Sequence, residues 1–345
     1  MREDLRLRLL ELGASDDEID RAVAQGWLPL LALDCVLTPG RRTYDLAGLA
    51  AAAGLDEELA RRLWRAVGFP DVPSGVAAFT DRDVDAARLA LAQAPERDIE
   101  EGTLLQQVRV ISGSLARVAS VEAEGIAELL TEMHASHASE DEIALAVLSD
   151  TRLADVGVLI DYLHRLQLRA AVWRQMVLAA APDIAIAVGF ADLSGYTKLS
   201  AALDASELSA LVGRWEAVAY DTIAANGARV VKTIGDEVMY VGLTNETVAA
   251  SLGLRDAATA AGLPALRIGV ASGPVISRDG DYFGPVVNLA SRLTEIAAPG
   301  EVLVPAALRD ELRPDSGCDV RFVDRGTQQL RSIGSVEVFA LERSG

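Results

Sequence analysis

The chain has 345 residues, of which half are hydrophobic, with 51 Asp and Glu against 32 Lys and Arg. This length exceeds what one core usually supports, so we expect two domains, and the apolar content excludes a mostly disordered protein. The net charge of −19 argues against bulk nucleic-acid or anionic-membrane binding, because both need basic surfaces. Two isolated cysteines support neither a disulfide framework nor a cysteine metal site. No signal-peptide pattern or membrane-spanning apolar stretch is found, so we expect a cytoplasmic protein.

The first half of the chain predicts helices only. Up to about residue 180 the sequence is rich in Ala, Leu, Arg and Glu, and its apolar residues recur at helical spacing, as in residues 104–130. We therefore expect an all-α domain over residues 1–165 and a helical linker over residues 166–182.

The second half mixes strands with helices. Strands are predicted at residues 184–191 and 266–273, and residues 228–243 predict two strands joined at Gly235-Asp236. Amphipathic segments between the strands predict helices. Hairpins mixed with helices favour an α+β sandwich, with helices packed on a largely antiparallel sheet.

Two aspartates lie at the ends of these strands. Taken singly, Asp192 could simply cap the segment that follows it, and Asp236 could simply form the turn between two strands. If their strands are neighbours, both carboxylates reach one end of the sheet, where their repulsion favours a proton or a cation. Mg²⁺ bound by two carboxylates and completed by substrate phosphates suits such a pair. This half of the sequence has no GxxxxGK[ST] loop and no histidine for zinc binding or base catalysis.

Other polar residues of the second half suit a nucleotide. Lys232 is one of only two lysines, with Lys198, in a chain that has 30 arginines. Either a compact ammonium is needed in this apolar strand or its head group reaches solvent at a strand edge. Asn288 and Arg292 share a helix face, which suits a ribose and a phosphate, although a helix-start residue and a surface cation would look the same. Asp281 by itself is an ordinary loop residue.

Four segments together resemble the catalytic domain of class III adenylate cyclases. They are FADLSGYT (190–197), VKTIGDEVMY (231–240), LRIGVASGPV (266–275) and DYFGPVVNLASRL (281–293). The resemblance implies a ferredoxin-like cyclase domain over residues 183–345. It also implies an adenylate cyclase in which the ribose 3′-hydroxyl of ATP attacks the α-phosphorus, giving 3′,5′-cyclic AMP and pyrophosphate.

The resemblance also implies roles for six residues. Metal ions, two Mg²⁺ or Mn²⁺ per site, are expected at Asp192 and Asp236, adenine at Lys232 and Asp281, and the ribose and phosphates at Asn288 and Arg292. Guanylate cyclases carry other residues at the adenine positions, which favours ATP over GTP. Family members build each site between two catalytic domains, so one complete set implies a homodimer with two composite sites.

One position departs from the family pattern. Where some members carry an arginine after the SG of LRIGVASG, this chain has Pro274. We expect Arg331, in the segment QQLRSIG, to supply the missing triphosphate contact.

The first half leaves a competing function open. Residues 44–72 have the rhythm of a helix-turn-helix with three arginines, Arg61, Arg62 and Arg65, on its second helix. This favours a DNA-binding regulator with a nucleotide-sensing but non-catalytic second half. The net charge of −12 over residues 1–180 argues against it.

Among class III cyclases of actinobacterial type, such helical N-terminal regions resemble autoinhibitory regulatory modules, so we expect the first domain to control activity. His134, His137 and His164 lie just before the catalytic half, and histidine titrates near neutral pH. We expect their protonation to make activity pH-dependent, although ordinary surface histidines would look the same. The effector of this domain is expected to be a proton or a hydrophobic molecule.

Overall fold

Residues 1–92, 101–150, 152–180, 185–312 and 320–344 are described by a computed structural model of the chain. They divide into two units, Met1–Arg169 and Ala170–Gly345. The linker predicted over residues 166–182 begins inside a helix that runs from residue 152 to residue 180. Its predicted end lies outside the described residues, and the predicted domain boundaries stay predictions.

The described part of the first unit is helical, apart from an isolated bridge between Tyr44 and Phe79. Its helices are α1 (Glu3–Glu11), α2 (Asp16–Gln25), α3 (Leu28–Leu37), α4 (Leu46–Ala53), α5 (Glu57–Val67), α6 (Asp81–Ala92), α7 (Glu101–Ala135), α8 (Glu140–Ser149) and the start of α9 (Arg152–Ala180). The prediction of an all-helical first half is confirmed.

Capping residues explain where several of these helices begin and end. Ser15 and Ser139 each form a capping box with a glutamate three residues later, at the starts of α2 and α8. Gly26 and Gly54 end α2 and α4 in the left-handed conformation, which glycine adopts without steric cost. One apolar cluster joins α1, α2, α3 and α8, and another joins α4, α5 and α6 around Phe79.

A seven-stranded sheet forms the centre of the second unit. Its strands are β1 (Ile186–Leu193), β2 (Arg229–Ile234), β3 (Glu237–Leu243), β4 (Leu266–Ser272), β7 (Glu301–Pro305), β8 (Val320–Leu330) and β9 (Gly334–Arg343). Their order is β2-β3-β1-β4-β7-β9-β8, and among these described strands only β4 and β7 pair in parallel. The predicted largely antiparallel sheet is confirmed, as is the β2–β3 hairpin at Gly235-Asp236.

Helices cover both faces of this sheet, which explains why β1 reads as a continuous apolar run. They are α10 (Tyr196–Ser200), α11 (Ala205–Ala225), α12 (Thr244–Ala260), α13 (Pro285–Ile296) and α14 (Ala306–Glu311). Helices α11, α12 and α14 pack on one face, and α13 packs on the other. A small hairpin of β5 (Ile276–Arg278) and β6 (Asp281–Phe283) precedes α13 and was not predicted.

Helix α13 lies directly on the backbone of β4 at Gly269. A Cβ atom on Gly269 would lie 2.3 Å from the carbonyl oxygen of Ala290 and 2.4 Å from the amide nitrogen of Thr294. The Thr294 hydroxyl donates either to that carbonyl, at 3.1 Å, or to the carbonyl of Phe190 on β1, at 3.2 Å. The absent side chain therefore sets the position of the helix that carries Asn288.

We expect Gly269→Ala to destabilise the protein by at least about 1–3 kcal/mol, the usual cost of overpacking a filled core. Urea denaturation measures the change. Gly213→Ala is the matched control: Gly213 lies in α11 with no atom near its missing Cβ, so alanine there is expected to be neutral or stabilising. Equal unfolding midpoints for Gly269→Ala and the unchanged protein would contradict this account of α13.

Candidate active site

The end of β1 and the β2–β3 turn bring two carboxyl groups together. In the register of the sheet, Asp192 lies opposite Glu237 on β3 and opposite Arg267 on β4. Asp236 directly precedes Glu237, in a two-residue turn in which Gly235 has a φ of 64°. Because β1 and β3 are adjacent and antiparallel, the end of one meets the start of the other. The carboxyl groups of Asp192 and Asp236 are close enough for each to feel the charge of the other.

The surroundings of this acid pair disfavour two bare negative charges. Burial and, next, the neighbouring Asp236 raise the pKa of Asp192 to about 7. Burial and Asp236 likewise raise the pKa of Glu237. The guanidinium of Arg267 acts in the opposite direction on Asp192 without cancelling the effect. Such a pair is stabilised by a proton or a cation.

The donor set fits a hard divalent ion. Across the part of the chain that the structure describes, no group of three or more His, Cys, Asp and Glu side chains could hold a metal ion. The acid pair offers two carboxylate donors, so the remaining ligands of an ion bound there would come from water or substrate. Mg²⁺ is commonly bound by one or two carboxylates, with water and substrate phosphates filling its other positions. Asp192 and Asp236 thus fit the ions expected at these positions.

Lys232 and Asp281 form an ion pair beside the edge strand β2. The ammonium of Lys232 donates to Asp281 Oδ2, and the backbone N–H of Tyr282 donates to Asp281 Oδ1 at 2.8 Å. The Lys232 side chain is 39% exposed and that of Asp281 26% exposed, so the pair is open to a ligand. The two interpretations of Lys232 given above are both consistent with the structure. Its ammonium has a specific partner, and β2 is an edge strand of the sheet.

Asn288 and Arg292 lie one helical turn apart on α13. The helix begins at Pro285 and buries Val286, Ala290 and Leu293. Asn288 is exposed. The guanidinium of Arg292 pairs with Glu295 on the same helix. These exposed or half-buried polar groups are available to a ligand that approaches this side of α13.

Arg331 is not brought near the acid pair within one chain. It is exposed in the turn between β8 and β9, at the end of the sheet far from β2. Pro274 lies in the segment between β4 and β5. A role for Arg331 stays a prediction.

The three histidines are exposed, and two share one helix corner. The Nδ1 of His134 is 2.7 Å from the carbonyl oxygen of Leu130, and its Nε2 is 3.4 Å from Glu140 Oε1. Both ring nitrogens face acceptors, so the doubly protonated ring is favoured and the pKa of His134 is raised. His137 lies between α7 and α8 with a φ of 63°, and His164 lies on α9.

Sequence reasoning missed two residues beside the acid pair. Arg267 and Glu237 face Asp192 from the two neighbouring strands. Arg267 had a visible signal, because it is the only charged residue in the apolar strand LRIGVAS. Within the described part its Nε is buried without a hydrogen-bond partner.

The first unit contains an apolar cavity of about 440 Å³. Ile126, Leu129 and Met133 of α7 line it together with Leu153 and Val156 of α9. Three charged residues also line it, Glu122, Asp150 and Arg152, and Arg152 forms an ion pair with Asp150.

The structure pairs all three arginines of the helix-turn-helix-like segment with acids. Arg61 donates to Glu57 at 2.6 Å, Arg65 donates to Asp71, and Arg62 pairs with Glu101. Their charges are thereby neutralised locally, which leaves little positive potential for phosphate contacts.

Comparison with known proteins divides the chain in the same way. Residues 178–343 match the family described as the adenylate and guanylate cyclase catalytic domain, and residues 1–172 match the adenylate cyclase regulatory domain. A protein named adenylate cyclase from Streptomyces coelicolor is 36% identical over 82% of this chain and 75% of its own length. An adenylate cyclase from Glutamicibacter nicotianae is 33% identical over 90% of this chain and 81% of its own.

The name of a third relative refers to regulation by pH. The protein named pH-sensitive adenylate cyclase from Mycobacterium tuberculosis is 32% identical over 97% of this chain and 86% of its own length. The chain belongs to the class III adenylate cyclase family, in the group whose catalytic domain follows an N-terminal regulatory domain. The predicted resemblance is confirmed, and neither matched family supports the DNA-binding alternative. No helix in the described ranges combines the length and apolarity needed to cross a membrane.

Proposed function

We infer that the protein is an adenylate cyclase that converts ATP to 3′,5′-cyclic AMP and pyrophosphate. The observation that carries this function is the close pair of Asp192 and Asp236, whose mutual repulsion is relieved by cations that arrive with a nucleotide. The relatives named adenylate cyclase support the same reaction. Because the substrate is ATP, the cytoplasm stays the predicted location.

Asp192 and Asp236 would hold the Mg²⁺ or Mn²⁺ ions, and we propose two per site. When bound, such ions supply Lewis-acid chemistry that favours ionisation of the 3′-hydroxyl and neutralises the leaving phosphates. Asn288 would orient the ribose, and Arg292 would stabilise the negative charge that develops on the α-phosphate oxygens. To do so, Arg292 exchanges its partner Glu295 for the substrate.

Lys232 and Asp281 would bind the adenine base. The ammonium donates hydrogen bonds and the carboxylate accepts them, which matches a base edge that carries one ring-nitrogen acceptor and one amino donor. Their ion pair is already formed, so the donor and the acceptor are held side by side before ATP binds.

Class III cyclases work as dimers, and we propose that this chain forms a homodimer with two equivalent sites. In each site, the acid pair of one subunit would face Lys232, Asp281, Asn288 and Arg292 of its twin. One complete set of residues per chain supports this arrangement.

The test of the activity is direct. Purified full-length protein is incubated with ATP and Mn²⁺, and the products are separated by anion-exchange chromatography. Cyclic AMP and pyrophosphate in equal amounts are expected. Nucleotide binding without cyclic AMP at any pH between 5 and 9, a range that spans the ordinary histidine pKa of about 6.5, would contradict the proposal.

We propose that the N-terminal domain inhibits the enzyme and that protonation of His134 contributes to its control. The contacts with Leu130 and Glu140 raise the pKa of His134 above its ordinary value of 6.5. Protonation of His134 therefore stabilises the α7–α8 corner fully at pH values below 6.5. That contribution is lost as the pH rises through the raised value. His137 and His164 are expected to contribute less, because it is His134 that contacts both Leu130 of α7 and Glu140 of α8.

We expect His134→Gln to flatten the pH dependence of both activity and thermal stability. The melting temperatures of the variant and the parent should differ at pH 6 and coincide at pH 8.5, since the imidazolium is lost there. His137→Gln and His164→Gln are the matched comparisons and should retain the parental profile. Superimposable activity profiles for His134→Gln and the parent would remove His134 from the mechanism.

We further propose that the apolar cavity of the first unit receives a hydrophobic effector. Its aliphatic lining side chains, among them Ile126, Leu129 and Val156, support an apolar ligand. Filling the cavity with Gly125→Leu should abolish any effect of such a compound on cyclase activity without changing activity in its absence. Gly125 lines the cavity and has no atom near its missing Cβ.

A further inference from the structure

A β-bulge in strand β2 places two cations on one face of the sheet. The pairing of β2 with β3 shifts between Val230 and Lys232, so Val231 is an extra residue. In a regular strand, residues 229 and 232 would point to opposite faces. Here Arg229 lies opposite Val241 and Lys232 lies opposite Met239. Val241 and Met239 are two residues apart on β3, so Arg229 and Lys232 lie on the same face.

The β5–β6 hairpin packs on that same face. Met239 and Val241 belong to the apolar cluster beneath α13, and Tyr282 of β6 packs against this cluster. Lys232 of β2 pairs with Asp281, and Arg229 of β2 reaches the next residue of β6. Two neighbouring residues of the hairpin are therefore each held by one cation of the edge strand.

The contact between Arg229 and Tyr282 has two parts. Arg229 Nη2 donates to the phenol oxygen of Tyr282 at 3.3 Å. The guanidinium carbon also lies 5.8 Å from the centre of the tyrosine ring, within the range of a cation–π contact. Arg229 is half-buried, and its Nε is buried without a hydrogen-bond partner in the described ranges. Its position is thus closely tied to the ring.

Tyr282 in turn orients the carboxylate of Asp281. The backbone N–H of Tyr282 donates to Asp281 Oδ1 at 2.8 Å, which leaves Oδ2 for Lys232. The hairpin has strands of only three residues, joined by Asp279-Gly280 with φ angles of 58° and 80°. Such a short hairpin has little stability of its own, so its contacts with the sheet decide where Asp281 lies.

We propose that Arg229 and Tyr282 are positioning residues that set the enzyme's discrimination between ATP and GTP. They hold β6 so that Asp281 lies at the separation from Lys232 that fits adenine. This inference rests on the proposed function, because it takes Lys232 and Asp281 as the residues that contact the base. A merely structural contact would affect folding or turnover with both nucleotides equally.

The test measures kcat and KM for ATP and GTP in full-length protein carrying Tyr282→Phe or Arg229→Gln. Tyr282→Phe removes the hydroxyl and keeps the ring against the apolar cluster. We expect each change to raise KM for ATP about threefold to tenfold, as for the loss of one typical intramolecular hydrogen bond, with kcat nearly constant. The ratio of kcat/KM for ATP to that for GTP should fall by a similar factor. The double variant should lose no more than the stronger single one, because the two residues share one contact.

Controls separate this inference from the proposed function. Tyr220→Phe, an exposed tyrosine on α11, should leave the ratio and the melting temperature unchanged. Affinity for 3′-deoxy-ATP, which lacks the attacking hydroxyl, should fall in the Arg229 and Tyr282 variants by the factor by which KM for ATP rises. If Lys232→Ala and Asp281→Ala change the ratio but Tyr282→Phe and Arg229→Gln do not, the positioning role is overturned. If Lys232→Ala and Asp281→Ala also leave it unchanged, base recognition by this pair is overturned as well.

Discussion

Asp236→Asn is expected to lower cyclic AMP formation at least about a hundredfold while raising the melting temperature of the metal-free protein. Activity falls because one of the two oxygen donors for the metal ions is lost. Stability rises because the repulsion between the two carboxylates is removed. Loss of function with a gain in stability separates a site residue from a residue that only supports the fold.

The pH dependence of the stability gain follows from Asp192. Its pKa is raised from 3.8 to about 7, so the folded, metal-free protein resists ionisation of this group. A group with a raised pKa contributes stability at low pH, and this contribution is lost as the pH rises through the raised value. Burial is the larger cause of the raised pKa and stays in Asp236→Asn, so the gain comes only from removing Asp236 as the second cause. This gain should be small at pH 4 and largest above pH 7.

The measurements are melting curves in the presence of EDTA and cyclic AMP assays with Mn²⁺. Asp310→Asn is the matched control, because Asp310 is exposed and pairs with Arg309 on the neighbouring position of α14. It should change neither quantity. Full activity of Asp236→Asn, or a lower melting temperature at pH 8, would refute the assignment of the acid pair.

Mixing two inactive variants is expected to restore about one quarter of the parental activity if each site is shared between subunits. The variants are Asp192→Asn and Arg292→Ala, each expected to lose at least about a hundredfold alone. In a heterodimer, one site receives both defects and the other receives none. Random pairing makes half of the dimers mixed, and each mixed dimer has one intact site out of two.

The matched control mixes Asp192→Asn with Asp236→Asn. These residues come from the same side of the site, so every site in every dimer contains a defect and no activity should return. Co-expression of differently tagged chains, followed by tandem purification, enriches the mixed dimers and should raise the recovery to about one half. Recovery in the control, or none in the test pair, would show that the site is not divided as proposed.

Apolar patterning predicted the strands and helices around the site because both faces of β1 are buried and its run of apolar residues is continuous. The predicted proximity of Asp192 and Asp236 depended on one assumption, that their strands are neighbours in the sheet. The structure bears this out, because β1 pairs with β3. The face that Lys232 occupies could not be predicted. It depends on the bulge at Val231, and nothing in the adjacent residues Val230 and Val231 indicates which of them is the extra residue.

The β5–β6 hairpin was missed for a related reason. Its Asp-Gly turn is a hairpin signal, but strands of three residues are too short for alternation to be recognised. The contact between Arg229 and Tyr282 depends on both the bulge and the hairpin. Arg331 was selected from a loop sequence alone, which carries no information about the distance between sheet edges.

The close seating of α13 on β4 has a consequence for how such an enzyme is switched. With only backbone between them at Gly269, the helix cannot slide along the strand without losing its contacts with the sheet. The catalytic domain thus carries the acid pair together with Asn288 and Arg292 on one inflexible block. A transition between resting and working states that preserves the fold would change how two such blocks face each other and leave the spacing inside each block intact.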